Sequence, residues 1–250
     1  PSAEQMADAI RSADQGAGVL RLYGNYGGDI LNFEMAGDLV EFDDITCTTV
    51  LLTDDVASAQ PEEHEKRRGV AGMVYAFKMA GAAAEDGRDL EAVTAIAQKA
   101  ADSCRSIGVA LGSCTVPQAG KATFEIADDE IEMGMGIHGE PGIWRGKLRT
   151  ADEIATEMME RLLADMPLSG GDKVSVMVNS LGATPPEELY ILYNKVKEAL
   201  EASGASIVMP LVGRYATSME MAGVSFTICK LDDELESLLK APCDCAFWRV

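Results

Sequence analysis

Histidine is nearly missing from this sequence: His64 and His138 are the two among 250 residues, so no multi-histidine metal centre can be built from them. Cations are scarce too. Against 21 Lys and Arg stand 41 Asp and Glu, and the net charge of −20 repels nucleic-acid phosphates and anionic membrane surfaces. No stretch nears the roughly 18 uninterrupted apolar residues of a membrane span. The opening PSAEQMADAIRSAD lacks the basic-then-apolar layout of a signal peptide. A cytoplasmic address, with no nucleic-acid or membrane partner, is the expectation. The six cysteines (Cys47, Cys104, Cys114, Cys229, Cys243 and Cys245) include no CxxC pair and are read as buried, reduced thiols. Cys243 and Cys245 stand too close for a relaxed disulfide. Also missing are GxSxG, HExxH, internal repeats and low-complexity tracts, which removes most familiar catalytic constellations.

What is present is ordinary globular composition, 47% hydrophobic and 25% charged, with length for one large domain or two smaller ones; two are expected. Ser2-Ala3-Glu4-Gln5 predicts a capping box opening a helix to about Ala13. Gly16 and Gly18 end it, and GVLRLY predicts a strand. A turn through Gly24-Asn25-Tyr26-Gly27-Gly28 leads to a helix that can begin at Asp29, with aspartate as its cap. Thr46 to Thr53 predicts a β-branched strand ending at Asp54-Asp55, and helices are predicted over 67–85 and 90–103. From Ser106 the texture changes to three short strand-like runs, SIGVALG, ATFEI and EIEMGMGI, and a boundary near Cys104 would divide the chain into 1–104 and 105–250. Helices over 151–165, 186–202 and 232–240 then alternate with strands at 173–179, SIVMPLV and VSFTICK. Such alternation predicts α/β layering with mixed, partly parallel sheets.

Gly134-Met135-Gly136-Ile137-His138-Gly139 matches the dinucleotide pattern GxGxxG, but Glu140-Pro141-Gly142 follows where a helix would have to receive the pyrophosphate, so NAD binding is rejected. A phosphate loop at Gly120-Lys121 fails because Thr115 and Ala122 stand where glycine and a hydroxyl residue are required. His64, in the charged run QPEEHEK, is expected in solvent. Around His138, glycines at 134, 136 and 139 leave backbone open to close approach by a small ligand, while Glu140 and Pro141 constrain the loop. From spacing alone, a purely structural turn histidine is an equal alternative. Asp29 lies where a strand gives way to a helix, the place where α/β proteins hold ligands, and it is either a cap or a partner for a substrate hydroxyl.

Five strings in order, GNYGGDILNFE (24–34), RRGVAGMVYAFKMAGAAAE (67–85), SIGVALGSCTVPQAGK (106–121), MGIHGEPGI (135–143) and VNSLGATPPEELY (178–190), resemble the K (substrate-binding) subunit of the dihydroxyacetone kinases, and the resemblance covers essentially the whole chain. It implies two α/β domains, a cytoplasmic homodimer, and a phosphotransferase that binds a short ketose as a hemiaminal on the motif histidine, here His138. By the same resemblance Asp29 would contact or activate the substrate hydroxyl, and Gly24, Asn25, Gly28, Gly136 and Gly139 would line the pocket. No metal site and no cofactor are expected on this chain, the nucleotide (ADP or ATP) and Mg being carried by a separate L subunit. Two departures stand out. The family's upstream GGGSGHEP segment, with a second catalytic histidine, has no match, so the first domain is expected to lack its N-terminal part. A lysine that often precedes NYxGD is Gly24 here, which is expected to open space for a larger ketose such as erythrulose. A ketose-sensing coregulator without catalysis is the alternative reading.

Overall fold

Two strand–helix–strand units of unequal size set the frame. The computed structural model describes residues 1–246 and 248–250. Helix α1 (Ala3–Ala13) opens on the predicted box, in which the Ser2 side chain accepts from the Gln5 N–H and the Gln5 side chain accepts from the Ser2 N–H. Strand β1 (Val19–Gly24), helix α2 (Gly27–Glu41) and strand β2 (Cys47–Leu52) form the first unit, the two strands pairing in parallel. Helices α3 (Gly72–Glu85) and α4 (Leu90–Asp102) follow.

The larger sheet begins with β3 (Cys104–Ala110). A two-residue hairpin, β4 (Thr115–Val116) with β5 (Lys121–Ala122), precedes β6 (Glu130–Met133) and β7 (Trp144–Lys147). Then come α5 (Ala151–Asp165), β8 (Lys173–Ser180), α6 (Pro186–Ala202), β9 (Ser206–Gly213), β10 (Gly223–Leu231) and α7 (Asp233–Lys240). The six strands lie in the order β7-β6-β3-β10-β8-β9, antiparallel except for the parallel pair β8–β9 that α6 connects. The expected mixed α/β architecture is thereby met.

Helices cover the large sheet on both faces, so its strands read as near-continuous apolar runs. Side chains alternate all the same. Ile107, Val109, Val174, Val176, Val178, Val224, Phe226 and Ile228 pack with α5 and α6, while Cys104, Met177, Cys229 and Leu231 pack with α3, α4 and α7. The second core continues through α3 and α4 to Val50 and Leu52 of β2.

Three predicted boundaries need correction. Helix α2 begins at Gly27, with Tyr26 in the cap position and no side-chain cap bond, so Asp29 is the third helical residue rather than the cap. Helix α3 begins at Gly72, five residues later than its composition predicts. Arg67 is extended, and the Asp54 carboxylate accepts from the Val70 and Gly72 N–H groups at 2.9 and 2.8 Å, anchoring the helix start from another segment. Of ATFEI, Ala122 alone is in a strand. The cysteines divide also: Cys104, Cys114 and Cys229 are buried, Cys47 and Cys243 are half-buried and Cys245 is exposed, all six being free.

Candidate functional site

The first loop is held where β1 ends. Asn25 donates its backbone N–H to the Leu52 carbonyl at 3.0 Å, and its side-chain amide donates to the carbonyls of Glu65 at 3.0 Å and Arg67 at 2.8 Å. Asn25 thus pins the turn to the segment that enters α3. Gly69 in that segment lies so close to β1 that an added Cβ would stand 2.5 Å from the Gly24 Cα. Gly24 is buried, and a Cβ on it would meet the Tyr26 ring at 3.0 Å. The space expected beside a glycine at position 24 is therefore filled by Tyr26. Gly28 is exposed, and Asp29 is half-buried in the first turn of α2, where the helix dipole favours a carboxylate.

The second loop follows β6. Gly134 turns the chain with φ +80°, its N–H donating to the Gly108 carbonyl at 2.7 Å. Gly139, at φ +85°, donates to the Gly136 carbonyl and closes a tight turn that presents His138. Glu140 grips this turn twice, accepting from the His138 backbone N–H at 3.0 Å and meeting the ring Nδ1 at 3.1 Å. No helix follows until Ala151, in keeping with the rejected dinucleotide reading.

The two loops meet at an aromatic contact. The rings of Tyr26 and His138 lie edge to face, with centroids 4.5 Å apart and planes at 73°. His138 keeps 58% of its side chain exposed, whereas the Tyr26 hydroxyl is buried and has no hydrogen-bond partner among the described residues. His64 stands apart in a short 3-10 turn (Pro61–Lys66), 65% exposed at its side chain, as its charged surroundings predict.

Charge around His138 is unevenly shared. The Glu140 hydrogen bond raises the imidazole pKa against partial burial, Asp29 adds to the rise, and Arg68 opposes it. Burial pushes the Glu140 carboxyl up, but its bonds to His138 and to backbone N–H groups prevail and hold it at about 2. Behind the loop, burial raises the Asp55 carboxyl to about 6 even though Arg68 pairs with it. Sequence reading placed His138, Gly136 and Gly139 on one loop, and Gly24, Asn25, Gly28 and Asp29 on the other. It assigned no part to Tyr26, Arg68 or Asp55. Among the described residues no cluster of His, Cys, Asp and Glu is arranged to hold a metal ion, and no helix is long and apolar enough to cross a membrane.

The profile of the Dak1 domain matches residues 1–247. The chain belongs to the Dak1 domain family. It is 48% identical to the dihydroxyacetone-binding subunit DhaK of PTS-dependent dihydroxyacetone kinase 2 from Listeria innocua, over all of this chain and 75% of that protein. The L-erythrulose 1-kinase of Mycolicibacterium smegmatis is 41% identical over the whole of this chain, which spans 44% of that longer protein. Among solved structures, the dihydroxyacetone kinase operon co-activator Dha-DhaQ superposes with a TM-score of 0.90 at 30% identity, covering 97% of this chain and 75% of that one. Dak1 membership places the chain among phosphotransferases that act on an alcohol group.

Proposed function

We propose that this chain is the ketose-capturing subunit of a dihydroxyacetone-type kinase, with dihydroxyacetone or erythrulose held covalently on His138. The observation that carries the reading is the Glu140 grip on Nδ1. A carboxylate held at about 2 is ionised near neutrality and accepts a hydrogen bond there, so neutral His138 carries its proton on Nδ1 and leaves the Nε2 lone pair bare. Nε2 has no partner among the described residues, and the ring is braced by Tyr26.

In the step this permits, Nε2 attacks the ketone carbon, a C–N bond forms, and the carbonyl π pair moves to oxygen. The Nδ1 proton is lost as the oxygen gains one, which leaves a neutral hemiaminal. An alcohol offers no such carbon, so glycerol is refused by reactivity rather than by shape. Asp29, at the mouth of the other loop, would accept from the terminal hydroxyl as phosphate arrives from a nucleotide with Mg held on a partner L subunit. The relatives named for dihydroxyacetone and for erythrulose support both ketoses as candidates.

A coregulator that captures ketose without phosphorylating it is the second reading, favoured by the likeness to the co-activator structure. Native mass spectrometry of the wild type and His138→Ala with dihydroxyacetone, erythrulose and glycerol tests the capture that both readings share. The expected result is an adduct with the ketoses alone, lost in the variant. An adduct that persists in His138→Ala, or none with either ketose, overturns it. Phosphorylation of the captured ketose by a DhaL subunit with nucleotide then separates enzyme from sensor.

A further inference from the structure

Arg68 stands directly behind the His138 loop and takes no part in the capture step. Its side chain is 13% exposed and forks in two directions. Nε and Nη2 both lie 2.9 Å from Asp55 Oδ2, and Nη2 also donates to the Gly134 carbonyl at 3.0 Å. Asp55 is a firm anchor, because it is 2% exposed, its carboxylate accepts from the Ala57 N–H and its backbone N–H donates to the Arg68 carbonyl at 3.0 Å. The Arg68 N–H is fixed in turn by the Ser58 hydroxyl. Gly134 is the point at which β6 turns into the His138 loop.

The remaining nitrogen, Nη1, lies against Gly136 and has no acceptor among the described residues. A Cβ on Gly136 would fall 2.6 Å from Nη1 and 2.2 Å from Glu140 Oε2, so the guanidinium and the carboxylate flank one stretch of bare backbone from two sides. Neither could keep its place beside a side chain at 136. A planar fork is needed for this job, since a lysine ammonium offers no rigid pair of donors to bridge Asp55 and a carbonyl.

We propose that Arg68 is the positioning residue for His138, tying the loop to buried Asp55 through the Gly134 carbonyl and balancing the Glu140 carboxylate behind the imidazole. The proposal deepens the ketose-capture reading and rests on it. The charged groups acting on the ring are Glu140 from its own loop and Asp29 from α2, which favour the protonated form, and Arg68 from the segment entering α3, which opposes them. Asp54 and Asp55 act on the Tyr26 phenol. Because the neutral ring is the nucleophile, Arg68 extends capture to lower pH.

The sequence makes the test clean, since its two histidines give two imidazole signals and exposed His64 is an internal reference. NMR titration without ketose is expected to show the His138 midpoint of Arg68→Met about half a pH unit or more above wild type, with His64 unmoved. At a fixed pH below that midpoint the ketose adduct should fall roughly threefold. Arg68→Lys should restore the midpoint while the adduct dissociates faster than in wild type, because the charge is kept and the fork is lost. Removing Arg68 strands a buried carboxylate, so the Asp55→Asn/Arg68→Met double variant is titrated as well. Wild-type midpoints and adduct yields in both variants would overturn the proposal. Absence of any adduct in the wild type would instead sink ketose capture, while the ketose-free titration would still report whether Arg68 acts on His138.

Discussion

At the scale of single residues, the Glu140–His138 pair makes a prediction with a definite sign. The imidazole pKa is raised in the folded state, so its contribution to stability is complete below the unfolded value near 6.5 and fades as pH rises through the folded one. Glu140 is depressed to about 2, so its contribution is present above its unfolded value near 4.3 and is lost as pH falls toward 2. Glu140→Gln should therefore lower Tm most between about pH 4.5 and 6.5, the gap from wild type narrowing on both sides. Thermal melts at intervals across that range check it, and a gap that does not vary with pH would deny the pair its charge. That His138 stands in an open turn was legible from the glycines and the proline around it, while a chemical role for it came from the family resemblance and not from spacing. Tyr26, Arg68 and Asp55 were not legible, for each draws its role from a neighbour distant in sequence: Tyr26 from His138, and Arg68 from Gly134 and Asp55.

Elements whose ends are fixed by their own residues were legible, and those fixed from elsewhere were not. The capping boxes at Ser2 and Thr150 are local chemistry, and α1 and α5 begin where that chemistry dictates. Helix α3 starts late because Asp54, 18 residues upstream of Gly72, captures its first N–H groups. Helix α2 starts early, with two glycines in its first turn and no side-chain cap bond, so Asp29 does not serve as the cap. Thr150→Ala removes the hydroxyl that accepts from the Glu153 N–H, leaving the Thr150 N–H bond to the Glu153 carboxylate, and should cost about 1 kcal/mol, a fall in Tm of roughly 2–4 °C in a chain of this size. The ketose adduct on folded protein should be unchanged, since the box lies at the far end of α5 from Asp165. Equal Tm values for variant and wild type would show that tertiary packing alone fixes the start of the helix.

The whole molecule is joined at that other end of α5. Asp165 receives both ends of the Arg67 guanidinium, at 3.0 and 2.5 Å, together with Arg105 Nε at 2.5 Å. Arg67 is 1% exposed and also donates to the Ala59 carbonyl, so one carboxylate connects the segment entering α3, the start of strand β3 and the last turn of α5. Arg67 is the chain neighbour of Arg68 and supplies a carbonyl to Asn25, so the same junction stands behind both loops of the site. Burial raises the Asp165 carboxyl, but the two guanidinium groups overcome it and hold the pKa below the ordinary carboxylate value. Its stabilisation is thus present above about pH 4 and lost as pH falls through the depressed value. Asp165→Asn leaves Arg67 buried without a counter-charge, which should cost about 3 kcal/mol or more at pH 7. Because the junction supports the loops from behind, ketose capture should weaken together with stability, unlike in Thr150→Ala. Urea melts at pH 7 and near pH 3, each paired with adduct yield at pH 7, check the argument. A wide stability gap at neutrality that shrinks in acid is expected; a gap of the same size at both would mean that shape, not charge, makes the junction.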